Sequence, residues 1–343
     1  MRIGIAGAGL LGRLLAFQLA RAGHAVEVFD PAPHAEARAD ATKAAGWTAA
    51  GMLSPVAELE CADANVFALG LRSLELWPAI VQSLGVPVEL KRDGSVLLAH
   101  RGDEGAARRV IDLLTAKAPA AHLPQALAPA ALREIEPAVQ GPAHAWLLPG
   151  EGRIHTVQAM AALAWAAAAA GTRFHWSRSV ERVEAGVLWS DGERRAFDHV
   201  FDVRGTGARP ELPVRGVRGE VFWLHAPGVA MHRPLRLLHP RHRVYMVPRE
   251  GDIVVVGASE IESEDRSPVS LRTTVELLAA AHSVVPELAE ARIVHSETNL
   301  RPALPDNLPR VEMQPGLTRI NGLFRHGWLI APALVADAME ALA

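Results

Sequence analysis

The chain opens on a short apolar run, Ile3-Gly4-Ile5-Ala6, followed by spaced glycines, a stretch of helical periodicity and a second run, Val26-Glu27-Val28-Phe29-Asp30. That order predicts strand, turn, helix and second strand. From about Asn65 to Leu84, the positions Val66, Leu69, Leu74, Leu76 and Ile80 keep a mostly helical period. Val88-Glu89-Leu90 and Ser95-Val96-Leu97-Leu98-Ala99 predict strands around an Asp93-Gly94 turn, with a helix and a proline-spaced loop after them. Thr156 is predicted to cap a helix ending at Gly171, and Phe174-His175-Trp176 to start another strand. Asp191-Gly192 marks a hairpin between Val187-Leu188-Trp189 and Phe197, and Phe197 to Val203 reads as a buried strand running into Arg204-Gly205-Thr206-Gly207-Ala208. Val217 to Leu224, Val244 to Pro248 and Ile253 to Gly257 then alternate or run apolar between turn signals, as strands of an antiparallel sheet do. Leu271 to His282 predicts a helix, and an apolar helix to Ala343 closes the chain.

A second glycine turn after a strand implies that the chain returns to its first domain. The expected organisation is therefore two interleaved domains: 1–85, 145–215 and 295–343 form a nucleotide-binding domain, and 86–144 with 216–294 form a substrate domain.

The first thirty residues have the layout of a dinucleotide-binding βαβ unit. Gly7 permits a sharp turn out of the strand, Gly9 lets a pyrophosphate approach the backbone, and Gly12 lets the helix pack closely on the sheet. Leu10 and Leu11 open that helix, whose first N–H groups suit phosphate, and Asp30 ends the second strand where a ribose diol can be held. A nicotinamide and a flavin both remain open at this point. The segment Lys43 to Pro55, rich in small residues, looks like backbone held against a flat ligand; a helix start capped by Thr48 or Ser54 is the alternative.

Composition narrows the classes. With 343 residues and 50% apolar composition the chain can bury a large core, and a net charge of −3 gives no drive toward nucleic acid or a membrane surface. One cysteine, Cys61, cannot form an internal disulfide, reads as a small core residue, and suits a reducing compartment. The first strand begins directly after Met1, leaving no room for a signal peptide, and the run from Ala159 to Ala170 is too short to span a bilayer. A soluble cytoplasmic protein is expected. The basic stretch from His232 to Arg243, broken by prolines, is expected to be a solvated loop rather than a phosphate or metal site, and no metal site is expected.

Taken together, the N-terminal fingerprint, Trp47-Thr48-Ala49-Ala50-Gly51-Met52-Leu53, Arg301-Pro302-Ala303-Leu304-Pro305-Asp306 and Gly322-Leu323-Phe324-Arg325-His326-Gly327 resemble the glycine oxidase and D-amino-acid oxidase family of FAD enzymes. The likeness covers essentially the whole chain and is strongest to the glycine oxidase branch, which is associated with thiamine thiazole synthesis. It implies an α/β fold: a glutathione-reductase-type FAD-binding domain with an interleaved α+β substrate domain whose antiparallel sheet covers the flavin. It also implies non-covalent FAD, since the tail motif holds no cysteine, and oxidation of glycine, sarcosine or D-alanine to an imine and then a 2-oxo acid, with oxygen reduced to hydrogen peroxide.

By the same resemblance Arg301 anchors the substrate carboxylate, Arg325 and Tyr245 stand beside the substrate, and no side chain serves as acid or base. Arginine suits the anchor because its planar fork matches a carboxylate, and Pro302 favours an extended backbone that presents it. Tyr245 is the only tyrosine, which favours small substrates over the larger ones taken by relatives with several. The cofactor is expected to touch Gly7, Gly9, Leu10, Leu11, Gly12, Asp30, Thr48, Ala49, Ala50, Gly51, Met52, Val180, Gly205, Gly207, Gly322, His326, Gly327 and Trp328. Arg204 departs from the small residue common in the second glycine turn. The rivals are a dehydrogenase of the same fold that passes electrons to a quinone or carrier, a flavin-binding module without turnover, and a nicotinamide dehydrogenase. A homo-oligomer stays open.

Overall fold

Ile3 and Ile5 are wholly buried on strand Arg2–Ala6, as befits the middle of a parallel sheet covered on both faces. In the computed structural model, which describes residues 1–36, 43–239 and 243–342, this strand lies between Ala25–Asp30 and His199–Asp202. Arg173–Trp176 and Leu317–Asn321 extend the parallel sheet on either side, and Arg310–Gln314 adds an antiparallel edge. One face, including Ile3, Ile5, Val26, Val28 and Phe201, shares a core with helices Leu10–Arg21, Ala64–Gln82, Thr156–Ala169 and Gly327–Glu340. On the opposite face Phe29, Val200 and Leu317 pack against Val183 and Leu188 of a small antiparallel sheet.

The second large sheet runs Arg292–Ala303, Arg215–His225, Ile253–Gly257, Arg243–Arg249, Leu235–Leu238, Ser95–Ala99, His144–Leu148, Gln125–Leu127. It is antiparallel except for the pair Ser95–Ala99 and Leu235–Leu238. Strand alternation divides its residues between two faces. Phe222, Leu224, Val244, Met246, Val254 and Val256 pack against Leu277, Ala281 and Val284 of helix Leu271–Val284. Val221, Val247 and Val255, one position out of step, pack with Ala50 and Met52 instead. The second face is thus turned toward the segment that follows Trp47. Among the described residues no helix is long and apolar enough to cross a membrane.

Several local expectations are corrected. Leu90–Lys91 and Ser95–Ala99 do not pair: the first joins Gly152–Ile154 in a three-stranded sheet, and the second enters the large antiparallel one. Gly94, at φ +90°, donates to the Glu151 carbonyl at 2.9 Å, so the turn is pinned to another strand instead of closing on itself. His155, not Thr156, caps helix Thr156–Ala169, its Nδ1 accepting from the Gln158 N–H at 3.4 Å; the helix stops at Ala169. Neither Thr48 nor Ser54 caps a helix with its side chain. The basic stretch contains a real strand, Leu235–Leu238, with Leu235 and Leu237 in the core, because the charge of Arg236 between them is matched by Glu58. Pro240, Arg241, His242 and Ala343 lie outside the described residues. Cys61 is exposed, in the turn between Pro55–Glu58 and Ala64–Gln82, not in the core.

Candidate active site

A cavity of about 1600 Å³ runs from the N-terminal glycine turn to the second face of the large sheet. Single small-molecule sites occupy roughly 300–1,000 Å³, so this one has room for a dinucleotide and a further ligand. Of the residues predicted to line it, Gly12 and Gly322 stand behind the wall; the others are on it.

At one end the sequence builds a glycine turn against a helix N-terminus. Gly7 has φ +103°, and a Cβ on Gly12 would fall 1.8 Å from the Gly7 carbonyl oxygen, so helix Leu10–Arg21 can sit this close only with glycine. A Cβ on Gly9 would meet only the Ala44 Cβ at 3.7 Å. The space beyond is open, and the first N–H groups of the helix, at Leu10 and Leu11, have no i−4 carbonyl to bond. The Asp30 carboxylate accepts from the Ala8 N–H at 2.6 Å and the Ala32 N–H at 2.8 Å, and its remaining lone pairs suit a diol. These residues fit the adenosine and pyrophosphate of a dinucleotide.

Arg13, which sequence reasoning missed, ties this end together. Its guanidinium donates to the carbonyls of Ala8 at 2.7 Å, Met160 at 2.8 Å and Ala35 at 2.9 Å, and lies 5.0 Å from the Trp47 ring centre. Burial lowers its pKa to about 10 despite Asp30 and Glu36, so it stays charged at neutral pH. An arginine one residue after the last fingerprint glycine, inside an apolar helix, was the available signal. Gly205, Gly207 and Val180 line the neighbouring wall. Arg204 turns out to brace that wall, through Asp202 at 2.8 and 2.9 Å, Glu211 at 3.1 Å and the Val180 carbonyl at 3.1 Å.

The middle of the cavity is walled by Thr48 to Met52. Thr48 Oγ1 accepts from Asn299 Nδ2 at 2.9 Å, the Ala49 carbonyl accepts from Thr156 Oγ1 at 2.9 Å, and a Cβ on Gly51 would lie 2.0 Å from the Ile154 carbonyl oxygen. Arg249 reaches the same strip from behind, donating to the Ala49 and Ala50 carbonyls at 3.2 Å each. Gly322, at φ +76°, packs on Leu304, and His326 precedes helix Gly327–Glu340, where Trp328 Nε1 donates to the Gly46 carbonyl at 3.0 Å.

At the far end the large sheet supplies polar groups over glycine gaps. The Arg301 guanidinium lies across Gly219, where a Cβ would come within 2.5 Å of it, and Tyr245 lies across Gly257, where a Cβ would be 2.5 Å from its hydroxyl. Arg301 donates to the Ser259 carbonyl at 3.0 Å and the Arg218 carbonyl at 3.4 Å. Among the described residues no carboxylate lies within 4 Å of it. Burial lowers the pKa of Arg301, with Tyr245 and Glu260 opposing; burial raises that of Tyr245, with Arg301 first among the cations pulling it down.

Arg325 is differently placed. It lines the cavity but donates from Nε to Glu58 at 2.9 Å and from Nη1 to Glu260 at 3.3 Å. Glu58 also accepts from Arg236 at 2.9 Å and stands 3.3 Å from His326 Nδ1. Burial would push the Glu58 carboxyl up, but Arg325, Arg236 and His326 outweigh it and hold it well below the usual range. Glu58, Gly219 and Gly257 were not singled out in the sequence, because each matters only through a partner far along the chain.

Comparison with known proteins supplies the context for this geometry. A family model described as FAD dependent oxidoreductase (DAO) matches residues 2–340. A Rhizobium etli protein named for a thiamine biosynthesis oxidoreductase, ThiO, is 36% identical over 100% of this chain and 96% of its own length. The crystal structure of glycine oxidase from Geobacillus kaustophilus superposes with TM-score 0.85 at 28% identity, covering 99% of this chain and 94% of that one. Iminodiacetate oxidase from Chelativorans sp. BNC1 gives TM-score 0.84 at 25% identity, covering 99% and 95%.

Proposed function

The chain belongs to the DAO family of FAD-dependent oxidoreductases, and from that membership we propose that it oxidises glycine or a similarly small amino acid or amine, in service of thiamine thiazole synthesis in the cytoplasm. The observation that carries the substrate reading is Arg301: a guanidinium on the cavity wall, seated over Gly219, bonded only to carbonyl oxygens and lacking a carboxylate partner among the described residues. A carboxylate brought by the substrate completes it, through two parallel charge-assisted hydrogen bonds.

Gly7, Gly9, Leu10, Leu11 and Asp30 would hold the adenosine and pyrophosphate of FAD, and Thr48 to Met52 would lie along its ring, with no covalent attachment. Bound FAD supplies the acceptor for the hydride that leaves the substrate α-carbon. The chain itself does positioning. Arg301 fixes the carboxylate, Tyr245 offers its hydroxyl to it, and the Glu58-bound Arg325 shapes the pocket without competing for the same anion. The α-carbon loses a hydride and the amine nitrogen a proton, the imine takes up water to give the 2-oxo acid and ammonia, or methylamine from sarcosine, and oxygen takes two electrons and two protons as hydrogen peroxide.

The test is an anaerobic panel of glycine, sarcosine and D-alanine against the purified yellow protein, with bleaching of the flavin as readout, followed by oxygen. Bleaching by glycine and peroxide on aeration is expected. A flavin that no small amine bleaches would sink the substrate reading, and slow reoxidation without peroxide would sink the oxidase reading.

A further inference from the structure

Arg249 is a buried arginine whose nearest acids are engaged elsewhere. Its Nη1 donates to His155 Nδ1 at 3.0 Å, its Nη2 to Thr156 Oγ1 at 3.0 Å and to the Ala49 and Ala50 carbonyls at 3.2 Å, and its Nε has no partner. The guanidinium lies 4.8 Å from the Trp223 ring centre. No carboxylate among the described residues comes within 4 Å of it. The surrounding acids have other cations: Glu89 pairs with Arg153 at 3.2 Å, and Glu297 with Lys43. His155 adds no second charge, since burial and the Arg249 cation lower its pKa to about 4, while Arg249, lowered by burial to about 10, keeps its proton at neutral pH.

The bonds to the wall segment have a directional consequence. Arg249 is not on the cavity wall, whereas Ala49, Ala50 and Gly51 are, so it grips the strip from behind. The peptides Ala49–Ala50 and Ala50–Gly51 are trans, and in a trans peptide the N–H points opposite to the carbonyl. Drawing both carbonyls backwards turns the Ala50 and Gly51 N–H groups toward the cavity. Neither N–H has a backbone partner among the described residues, although both residues are buried. Two unsatisfied donors in a buried wall call for a ligand acceptor.

We propose that Arg249 is a positioning residue for the flavin: it aims the Ala50 and Gly51 N–H groups at the ring and places behind them a positive charge, unmatched at short range, that favours the reduced, negatively charged cofactor. Preorganised donors and fixed charge of this kind act where negative charge develops. The inference rests on the reading that Thr48 to Met52 faces the flavin ring.

Sulfite provides the probe, because its addition to an oxidised flavin leaves the ring negatively charged without turnover. Sulfite titration and dye-equilibrated reduction potentials are measured on the holoenzyme and on Arg249→Gln, Arg249→Lys and His155→Glu. For Arg249→Gln the sulfite Kd should rise about tenfold, and the potential should fall by about 30 mV, the two-electron equivalent of that factor. Arg249→Lys, which keeps the charge but not the fork that holds both carbonyls, should fall between wild type and Arg249→Gln. His155→Glu sets a carboxylate against the intact guanidinium and should shift both readouts in the same direction as Arg249→Gln. An Arg249→Gln protein with full flavin content and unchanged sulfite affinity overturns the proposal, as does Arg249→Lys matching Arg249→Gln. Should Arg249→Gln fail to hold flavin, unchanged sulfite affinity in His155→Glu overturns it. Failure of the functional reading is distinct: there the wild-type flavin is not bleached by any small amine, whatever the variants do with sulfite.

Discussion

Gly219→Ala tests the proposed role of Arg301 as carboxylate anchor by displacement, leaving that residue in the chain. A Cβ at position 219 would stand 2.5 Å from Cζ, Nη1 and Nη2 of Arg301, whereas ordinary contact begins at 3.4 Å. The guanidinium must therefore retreat by about 0.9 Å, stretching its bonds to the Ser259 and Arg218 carbonyls, and it can, because it is the far end of a flexible side chain and Gly219 lies on a strand without positive φ. A misplacement of about 1 Å can cost on the order of 100-fold in rate. We therefore expect kcat/KM for glycine to fall by about 10- to 100-fold, equal to about 1.4–2.7 kcal/mol of lost transition-state stabilisation. FAD content and melting temperature should remain near wild type. The assay is anaerobic flavin bleaching at varied glycine, with Gly102→Ala as control, since a Cβ at Gly102 meets nothing within 4 Å. Unchanged glycine kinetics in a Gly219→Ala protein of normal flavin content would refute the assignment of Arg301.

Arg301→Ala should raise the apparent KM for glycine by the equivalent of about 2–5 kcal/mol, measured by steady-state peroxide formation; near-normal kinetics would count against the anchor. Asp30→Ala should weaken FAD retention in gel filtration while leaving the order of preference among glycine, sarcosine and D-alanine unchanged. Glu58→Gln should cost about 3 kcal/mol of stability in denaturant melts at neutral pH, because it removes the carboxylate that Arg236 and Arg325 share and leaves Arg325 only the exposed Glu260. The pH dependence has a definite sign. The Glu58 carboxyl is held below its unfolded value, so its contribution is complete above about pH 4.3 and is lost as pH falls through the lower folded value. Acid melts of wild type should therefore steepen below that pH, and those of Glu58→Gln should be flatter by this contribution.

The N-terminal unit was legible because its signals are local: two apolar runs, a helix and three glycines with separate steric roles within thirty residues. The alternation of the large sheet was legible for the same reason. What escaped depends on strand register and on distant partners. Leu235–Leu238 looked like part of a basic loop because the burial of Arg236 is made tolerable by Glu58, nearly 180 residues earlier. Gly219 and Gly257 are unremarkable glycines until the register sets Arg301 and Tyr245 across them. That Leu90–Lys91 and Ser95–Ala99 enter different sheets was not legible, since nothing local shows that the Gly94 turn is held by Glu151. His155 was passed over as a cap because histidine is not among the residues favoured there.

The order in which strands enter the two large sheets has a bearing on synthesis. The parallel sheet receives Leu317–Asn321 beside His199–Asp202, and the antiparallel sheet receives Arg292–Ala303 beside Arg215–His225. Both receive strands from beyond Ala291, a stretch that also carries Arg301, Arg325 and the helix Gly327–Glu340. A nascent chain that has emerged only as far as Ala291 therefore has the glycine turn at one end of the cavity but lacks the lining supplied between Asn299 and Leu329. The cavity is thus enclosed only once the segments on both sides of Ala291 have come together.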